Sequence, residues 1–281
     1  MNTETNPWQL RSWRMPHLHN VELLHATSIT YDYPRHIHEE CSIVLILQGT
    51  ETTTQRGTNC ISYPGSLLLF NADEVHSSRS VGTEYRILKI STKALNQVAF
   101  ELSGHNLNRP CFPKLPINDP LMFRLLLGLH LKLEQNVSPF EQESDFISVA
   151  GLLIRLYSEN HIGLQPLGKE THYVNLIRDY LKSNYAENVS LAQLTSITNL
   201  SSFYLLRVFR KHVGCPPHEY LTQVRITRAR KLLRKGHSIS EVALETGFFD
   251  QSHFSRNFKR IVGLPPGQYS LQGKIVQDTT K

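Results

Sequence analysis

The chain contains 281 residues, of which 40% are apolar and 19% are charged, so it is long enough to bury a sizeable core. The runs "SIVLIL" and "SLLLF" are too short to span a bilayer, and the first 20 residues lack the apolar region of a signal peptide. The four cysteines lie far apart without a CxxC motif, which indicates reduced thiols rather than a disulfide framework or a zinc site. We therefore expect a cytoplasmic protein that has no membrane partner.

The formal net charge of +6 is distributed unevenly along the chain. Residues 171–275 hold 15 Lys and Arg against 6 Asp and Glu, a net charge of +9, which leaves −3 for the rest. A basic segment joined to a nearly neutral one is typical of a protein that binds a polyanion such as nucleic acid.

Residues 20–92 carry a β pattern. The runs "CSIVLILQGT", "SLLLFN" and "YRILKIS" have the length of strands, and turn signals separate them at Gly57–Asn59 and Pro64–Gly65. Several short strands at this spacing predict a sandwich or a small barrel.

Two apolar segments of helix length follow, at 119–136 and 144–160, and predict a helical hairpin. Their apolar surface is wider than one narrow stripe, since it includes Leu121, Leu125, Leu126, Leu127, Leu129, Leu131 and Leu133. This surface could pack on the β region or could pair with a second subunit. The Gly- and Pro-containing stretch "HIGLQPLGKETH" (161–172) then predicts a linker.

The stretch "VSLAQLTSITNLSSFYLLRVFRKHVG" (189–214) predicts two helices joined by a short turn. Ser190 and Ser201 are placed to cap the two helices, and Gly214 to end the second. This order of helix, short turn and helix is that of a helix-turn-helix motif.

A second copy of this pattern lies in "HSISEVALETGFFDQSHFSRNFKRIVG" (237–263). The two stretches superpose without a gap at a period of 49 residues, which places Ser201 on Asp250 and Gly214 on Gly263. Between them, "PPHEYLTQVRITRARKLLRKG" predicts one long helix that begins at Pro and ends at Gly. Two recognition helices held by one connecting helix could enter successive major grooves, about 34 Å apart.

The segments "RITRARKLLRKG", "ISEVALETGFFDQSHFSRNFKR" and "VGLPPGQY" resemble the DNA-binding domain of the AraC/XylS family of bacterial transcription regulators. The resemblance covers residues 172–272, and the first motif departs from it at Thr195, where the family usually has Ala. It implies promoter DNA as a partner, with the following residues on the DNA-facing surface: Phe203, Tyr204, Leu206, Arg207, Arg210, Gln251, Ser252, His253, Ser255, Arg256 and Lys259. Arg210, Lys211, Lys259 and Arg260 are expected to contact phosphates rather than bases.

The stretches "YPRHIHEECSIVLILQGT" and "YPGSLLLFNADEVHS" resemble the cupin-like effector and dimerisation domain of the same family. Candidate pocket residues are Tyr31, His36, His38, Phe70, His76 and Tyr85. Metal-dependent cupins add a glutamate to three such histidines, but that position falls here at Ser42, so no metal is assigned. The histidines could instead line a pocket through hydrogen bonds, bind no ligand, or hold zinc or nickel weakly.

These patterns predict an α+β multidomain protein with an N-terminal cupin-like β-barrel, a helical hairpin and an all-α C-terminal domain with two helix-turn-helix motifs. The predicted parts are 1–95 (effector-sensing β domain with an N-terminal arm), 96–162 (helical dimerisation region), 163–171 (linker) and 172–275 (DNA-binding domain). We expect a transcription regulator, and not an enzyme, that responds to a small-molecule effector, forms a homodimer and can contact RNA polymerase. The alternatives are a ligand-independent factor and a cupin metalloenzyme fused to a DNA-binding module.

Overall fold

The computed structural model describes residues 9–103, 109–112, 116–159 and 170–270. The chain divides into two compact units, one formed by Met1–Gln135 with Asp145–Gln165 and the other by Asn136–Ser144 with Pro166–Lys281. Within the described ranges, every helix is too short or too polar to cross a membrane. Residues 163–169 of the predicted linker (163–171) lie outside the described residues. The same is true of residues 271–275 of the predicted DNA-binding domain (172–275).

The first unit is built on one antiparallel sheet of six strands. These are β1 (Gln9–Met15), β2 (Val21–His36), β3 (Cys41–Gln55), β4 (Thr58–Ser62), β5 (Leu67–Phe70) and β6 (His76–Ile90). Their order is β1-β2-β6-β3-β4, and β5 also pairs with β3. The predicted β region is confirmed, with β1 as an addition that the sequence pattern did not predict.

The sheet is not closed into a barrel, which corrects the prediction of a cupin-like β-barrel. The outer edge of β3 is divided, because Ser42–Leu45 pair with β5 whereas Glu51–Gln55 pair with β4. At the other end of the sheet, β1 pairs with β2. No ladder among the described strands joins β1 to β4 or β5, so the two ends of the sheet remain separate.

Three helices follow the sheet: α1 (Thr92–Ser103), α2 (Pro120–Leu133) and α3 (Pro139–Tyr157). Helix α2 begins where Asp119 accepts hydrogen bonds from the backbone N–H groups of Leu121 and Met122, and Pro120 occupies the first turn. The hydroxyl of Tyr157 at the end of α3 donates to Asp119 Oδ2 at 2.5 Å. The two predicted helices are thus confirmed, and this contact joins the end of α3 to the start of α2.

The second unit is helical. Its elements are α4 (Thr171–Ser183), α5 (Leu191–Thr198), α6 (Ser202–Val213), α7 (Pro217–Arg234), α8 (Ile239–Glu245) and α9 (Gln251–Val262). The predicted order of helix, turn and helix occurs twice, as α5–α6 and α8–α9, with α7 between the two pairs.

The repeat is not free of gaps, contrary to the prediction from the sequence. Ser190 caps α5 and Ser238 caps α8, and these residues lie 48 positions apart. Ser201 caps α6 and Asp250 caps α9, and these lie 49 positions apart. The stretch from the first cap to the second is therefore one residue longer in the second motif.

Candidate DNA-binding surface and effector pocket

The first helix-turn-helix is defined by its caps. The Ser190 hydroxyl accepts a hydrogen bond from the Gln193 backbone N–H. The Gln193 side-chain oxygen in turn accepts one from the Ser190 backbone N–H, and the two bonds form a capping box. Asn199 ends α5 in the left-handed region with a φ of 52°. Ser201 then accepts from the Tyr204 N–H at 3.3 Å and begins α6.

The second motif uses the same devices with different residues. Ser238 and Glu241 form the capping box of α8, and Asp250 Oδ1 accepts from the His253 N–H at 2.5 Å to begin α9. Gly247 occupies the turn with a φ of +74°. A Cβ atom at this position would lie 2.5 Å from the carbonyl oxygen of Ala186, so no other residue fits without a shift of the backbone.

Aromatic side chains hold the second motif on the connecting helix. Phe248, Phe254 and Phe258 are buried in one cluster with Ile226 and Leu233 of α7. Phe254 contacts both other rings, with centroids 5.2 Å and 5.5 Å apart. This core fixes which face of α9 points inward and therefore which side chains point outward.

The outward side chains of α9 are polar and basic. Gln251, Ser252, Arg256 and Lys259 are exposed, and Ser255 is half-buried. His253 is different, because only 6% of it is exposed, its ring packs edge-on against Phe248, and burial lowers its pKa. Among the described residues, His253 Nδ1 has no hydrogen-bond partner.

Helix α6 presents fewer of its predicted DNA-binding side chains. Phe203, Tyr204 and Leu206 are exposed by only 7%, 7% and 4%. The hydroxyl of Tyr204 donates to Glu170 Oε1 at 2.8 Å. Arg210 and Lys211 are exposed and Arg207 is half-buried, with its guanidinium 5.7 Å from the Phe203 ring centroid.

The antiparallel sheet of the first unit lines a cavity of about 130 Å³ that is partly open to solvent. Of the predicted pocket residues, His36, His38, Phe70, His76 and Tyr85 line it. Tyr31 does not, because it is 57% exposed and contacts the ring of Tyr33 instead. The remaining lining residues are Leu24, Tyr33, Ser42, Val44, Glu51, Leu68, Ser78, Ile87 and Lys89.

The three histidines of the cavity form one cluster. The rings of His36 and His76 are 4.4 Å apart between centroids, and His38 lies 4.8 Å from His36 and 5.0 Å from His76. One ring nitrogen from each lies within 4.8 Å of the others, so the group could hold a metal ion. Burial lowers the pKa of His38 to about 4, with further contributions from His76 and His36, and burial also lowers the pKa of His76.

Backbone carbonyl groups orient two of these rings. Nδ1 of His36 lies 2.7 Å from the Pro34 carbonyl oxygen, and Nδ1 of His76 lies 3.0 Å from that of Glu74. A protonated Nδ1 that donates to a carbonyl leaves Nε2 as an acceptor or a metal ligand. The donor set is therefore three imidazoles, and the described carboxylates do not join the group.

Two further polar groups of the cavity are buried. Glu51 is 6% exposed and accepts a hydrogen bond from the Ser80 hydroxyl at 2.5 Å, and burial raises the pKa of its carboxyl group. Ser42 is 2% exposed, and its hydroxyl has no hydrogen-bond partner in the described part of the chain. A buried hydroxyl without a partner is costly unless a ligand or water satisfies it.

Two family models match the two units. Residues 18–150 match the AraC-like ligand binding domain, and residues 194–272 match a helix-turn-helix domain. The chain is 32% identical over 256 residues to the uncharacterized HTH-type transcriptional regulator YbfI of Bacillus subtilis (strain 168), and the match covers 90% of each protein. The chain belongs to the AraC/XylS family of transcription regulators.

Other similar proteins match over shorter or more divergent stretches. The transcriptional regulatory protein HptR of Staphylococcus aureus (strain NCTC 8325) is 33% identical over 117 residues, which are 41% of this chain and 46% of HptR. The C-terminal domain of the two-component response regulator yesN from Fusobacterium nucleatum is 33% identical over 34% of this chain and 95% of that structure, with a TM-score of 0.33. ToxT from Vibrio cholerae O395 is 17% identical over 94% of this chain and 97% of that structure, with a TM-score of 0.35.

As an AraC/XylS family member, the chain is a DNA-binding transcription regulator with a ligand-binding N-terminal domain. The cavity lies entirely within the matched ligand domain, and α6 to α9 lie within the matched helix-turn-helix domain. Sequence reasoning missed Glu51, Ser42 and Lys89 as cavity residues of this regulator. The sequence places Ser42 where metal-dependent cupins have a glutamate, and this spacing is the signal that Ser42 faces the cavity.

Proposed function

We propose that this transcription regulator reads promoter DNA mainly through α9 and responds to a small effector in the cavity of its N-terminal unit. The proposed reading of DNA is supported by the exposed polar face of α9, which is formed by Gln251, Ser252 and Arg256. Glutamine and arginine side chains can bond base edges in the major groove, and the absence of acids from the described α9 avoids repulsion by phosphates. Lys259 and Arg260 would contact phosphates.

The test of DNA binding is selection from a random duplex pool with the purified full chain, repeated across salt concentrations. The expected result is an enriched motif with two blocks about one helical turn apart. Salt-sensitive binding without an enriched motif would contradict sequence-specific reading by the protein as purified.

The proposed response to a small effector is supported by the cavity of the N-terminal unit. Its polar groups include the Ser42 hydroxyl, the Glu51 carboxyl group and the hydroxyl pair of Tyr33 and Tyr85, which are 3.0 Å apart. A cavity of about 150 Å³ accommodates a molecule the size of benzene, so the part of the effector held inside this cavity would be about the size of one ring or a short chain.

A thermal-shift screen of such compounds, followed by titration of each hit, tests the effector half. The wild-type chain is expected to be stabilised by at least one compound, and Ser42→Ala is expected to weaken that binding by about 1 kcal/mol or more. Stabilisation of Ser42→Ala to the same extent would place the compound elsewhere.

A metal-dependent pocket is the second candidate, and the histidine cluster favours it. Three neutral imidazoles suit Zn²⁺ or Ni²⁺, and three protein ligands leave coordination positions open to the cavity. Metal binding by tag-free protein is measured by equilibrium dialysis for the wild type, His38→Gln and the exposed control His17→Gln. One equivalent bound by the wild type and the control, but lost from His38→Gln, would support this candidate, and equal binding by all three would reject it.

We further propose that the chain forms a homodimer through its helical region, contacts RNA polymerase when bound at promoters and catalyses no reaction. Support for the dimer comes from Leu121 and Leu131 of α2 and Leu156 of α3, which are 58%, 40% and 53% exposed. Light scattering after gel filtration is expected to show a dimer that Leu121→Asp weakens. A monomeric wild type would contradict the dimer, and promoter activation without binding of polymerase to the complex would contradict the polymerase contact.

A further inference from the structure

Arg225 of the connecting helix α7 is buried, with only 7% of it exposed. Its Nε donates to the carbonyl oxygen of Tyr185 at 2.7 Å, and its Nη2 donates to that of Glu187 at 2.9 Å. Both carbonyl groups belong to the segment between α4 and α5, which leads into the first helix-turn-helix motif. One guanidinium group therefore holds the entry to the first motif.

The same guanidinium group also contacts the second motif. Its central carbon lies 5.8 Å from the ring centroid of Phe248, within the range of a cation–π contact. Phe248 lies in the turn between α8 and α9 and is buried in the core that orients α9. Arg225 thus contacts both the turn of the second motif and the segment that leads into the first.

The glycine at the turn of the second motif provides an independent observation at the same place. A Cβ atom on Gly247 would lie 2.5 Å from the carbonyl oxygen of Ala186, which is flanked by the two carbonyl groups that Arg225 binds. The turn of the second motif therefore lies directly against the entry segment of the first.

The chemistry of Arg225 favours a directional role over simple core filling. Burial lowers its pKa to about 10, so the guanidinium remains charged near neutral pH. Within the described part of the chain its side-chain hydrogen bonds go to backbone carbonyl oxygens rather than to an acid. Because removal of a charge from water is costly, a buried charge of this kind is weak evidence for a net gain in stability.

We propose that Arg225 is a positioning residue that fixes the separation of the two helix-turn-helix motifs and thereby the spacing between the two half-sites that the regulator accepts on DNA. This inference rests on the proposed function, in which α9 contributes most of the base recognition and α6 contacts the adjacent block of the same site. Each inserted base pair moves one half-site by about 3.4 Å and rotates it by about 35°. A rigid pair of motifs must reject such a shift, whereas a loosened pair tolerates it.

The experiment compares binding of the full chain to its selected bipartite site and to the same site with one base pair inserted between the half-sites. The wild type is expected to bind the altered site at least tenfold more weakly. Arg225→Gln is expected to reduce this difference to about threefold or less, and Arg225→Lys, which keeps the charge, to an intermediate value. Lys231→Gln, an exposed change of equal charge on the same helix, should discriminate like the wild type.

Binding is measured at a temperature at which circular dichroism shows each variant to be folded. The Arg225→Lys measurement therefore remains decisive if Arg225→Gln is unstable. Retention of wild-type spacing discrimination by the folded Arg225 variants would overturn the inference. An equal loss of affinity for both sites would also overturn it, because that is the result of a purely structural role. If the wild type selects no bipartite motif, the proposed function fails first, and this outcome is distinct from the other two.

Discussion

The two helix-turn-helix motifs share their framework and differ on their outer surfaces. Gly214 and Gly263 end α6 and α9 with the same φ of 88°, and serine caps begin both first helices. In contrast, α9 exposes Gln251 and Arg256, whereas most of the side chains predicted to read DNA from α6 are buried.

The internal repeat preserves what folding requires, while the outer surface varies independently. Leu205 and Phe254 occupy equivalent inward positions and are both fully buried. At another equivalent pair, Leu206 is buried and Ser255 is half-buried. We therefore expect α9 to contribute most of the base recognition and α6 to contribute mainly through Arg207, Arg210 and Lys211.

The largest loss of stability is expected from a substitution in the turn of the second motif, where the two motifs differ. In the first motif the left-handed residue is Asn199, whereas in the second it is Gly247, which has the Ala186 backbone against it. Gly247→Ala is expected to lower the free energy of unfolding by about 3 kcal/mol, since it adds backbone strain of about 1–2 kcal/mol to an overpacking cost of about 1–3 kcal/mol. Urea denaturation of the full chain measures this loss.

Gly263→Ala is the matched control for that prediction. Gly263 also has a positive φ, of 88°, but a Cβ atom there would meet no described atom within 4 Å. Only the backbone strain applies, so a loss of about 1 kcal/mol is expected. Equal losses for the two variants would mean that the contact between Gly247 and Ala186 contributes nothing.

The second prediction tests the difference between the recognition helices. Arg256 and Arg207 occupy equivalent positions, but Arg256 is exposed and Arg207 is half-buried beside Phe203. Arg256→Ala is expected to weaken binding to the selected site by about 1–3 kcal/mol, with a smaller effect on random DNA. Arg207→Ala is expected to weaken binding to the same site less than Arg256→Ala does.

Fluorescence anisotropy with selected and random duplexes measures both variants. An equal loss on the two duplexes would reassign Arg256 to a phosphate contact. A larger loss for Arg207→Ala than for Arg256→Ala would reverse the ranking of the two helices.

The framework of the C-terminal unit was predictable from the sequence because it depends on local signals. The caps at Ser190, Ser201, Ser238 and Asp250 mark helix starts within one turn of chain. The extra residue of the second motif lies between its two caps, and the matching residues of the recognition helices α6 and α9 do not reveal it. The burial of α6 side chains also escaped it, since burial depends on contacts distant in sequence.

The pocket was only partly predictable because it depends on strand register. Ser42 and Val44 of β3 both line the cavity, as simple alternation requires. Glu51 breaks that alternation, because the pairing of β3 with β6 is irregular between Ile46 and Thr50. A bulge of this kind moves the side chains that follow it to the other face of the sheet. The residue pattern of β3 does not mark the position of the bulge.

The smallest effect concerns His253, which the sequence places on the DNA-facing surface. Its ring is buried beside Phe248, so base contact would require the side chain to rotate out of the core. His253→Ala is therefore expected to destabilise the chain by about 1 kcal/mol and to leave the selected motif unchanged. Ser252→Ala, at the exposed neighbouring position, should instead change base preference without loss of stability. Selection with both variants distinguishes these roles, because an altered motif for His253→Ala would show that this histidine reaches a base despite its burial in the free protein.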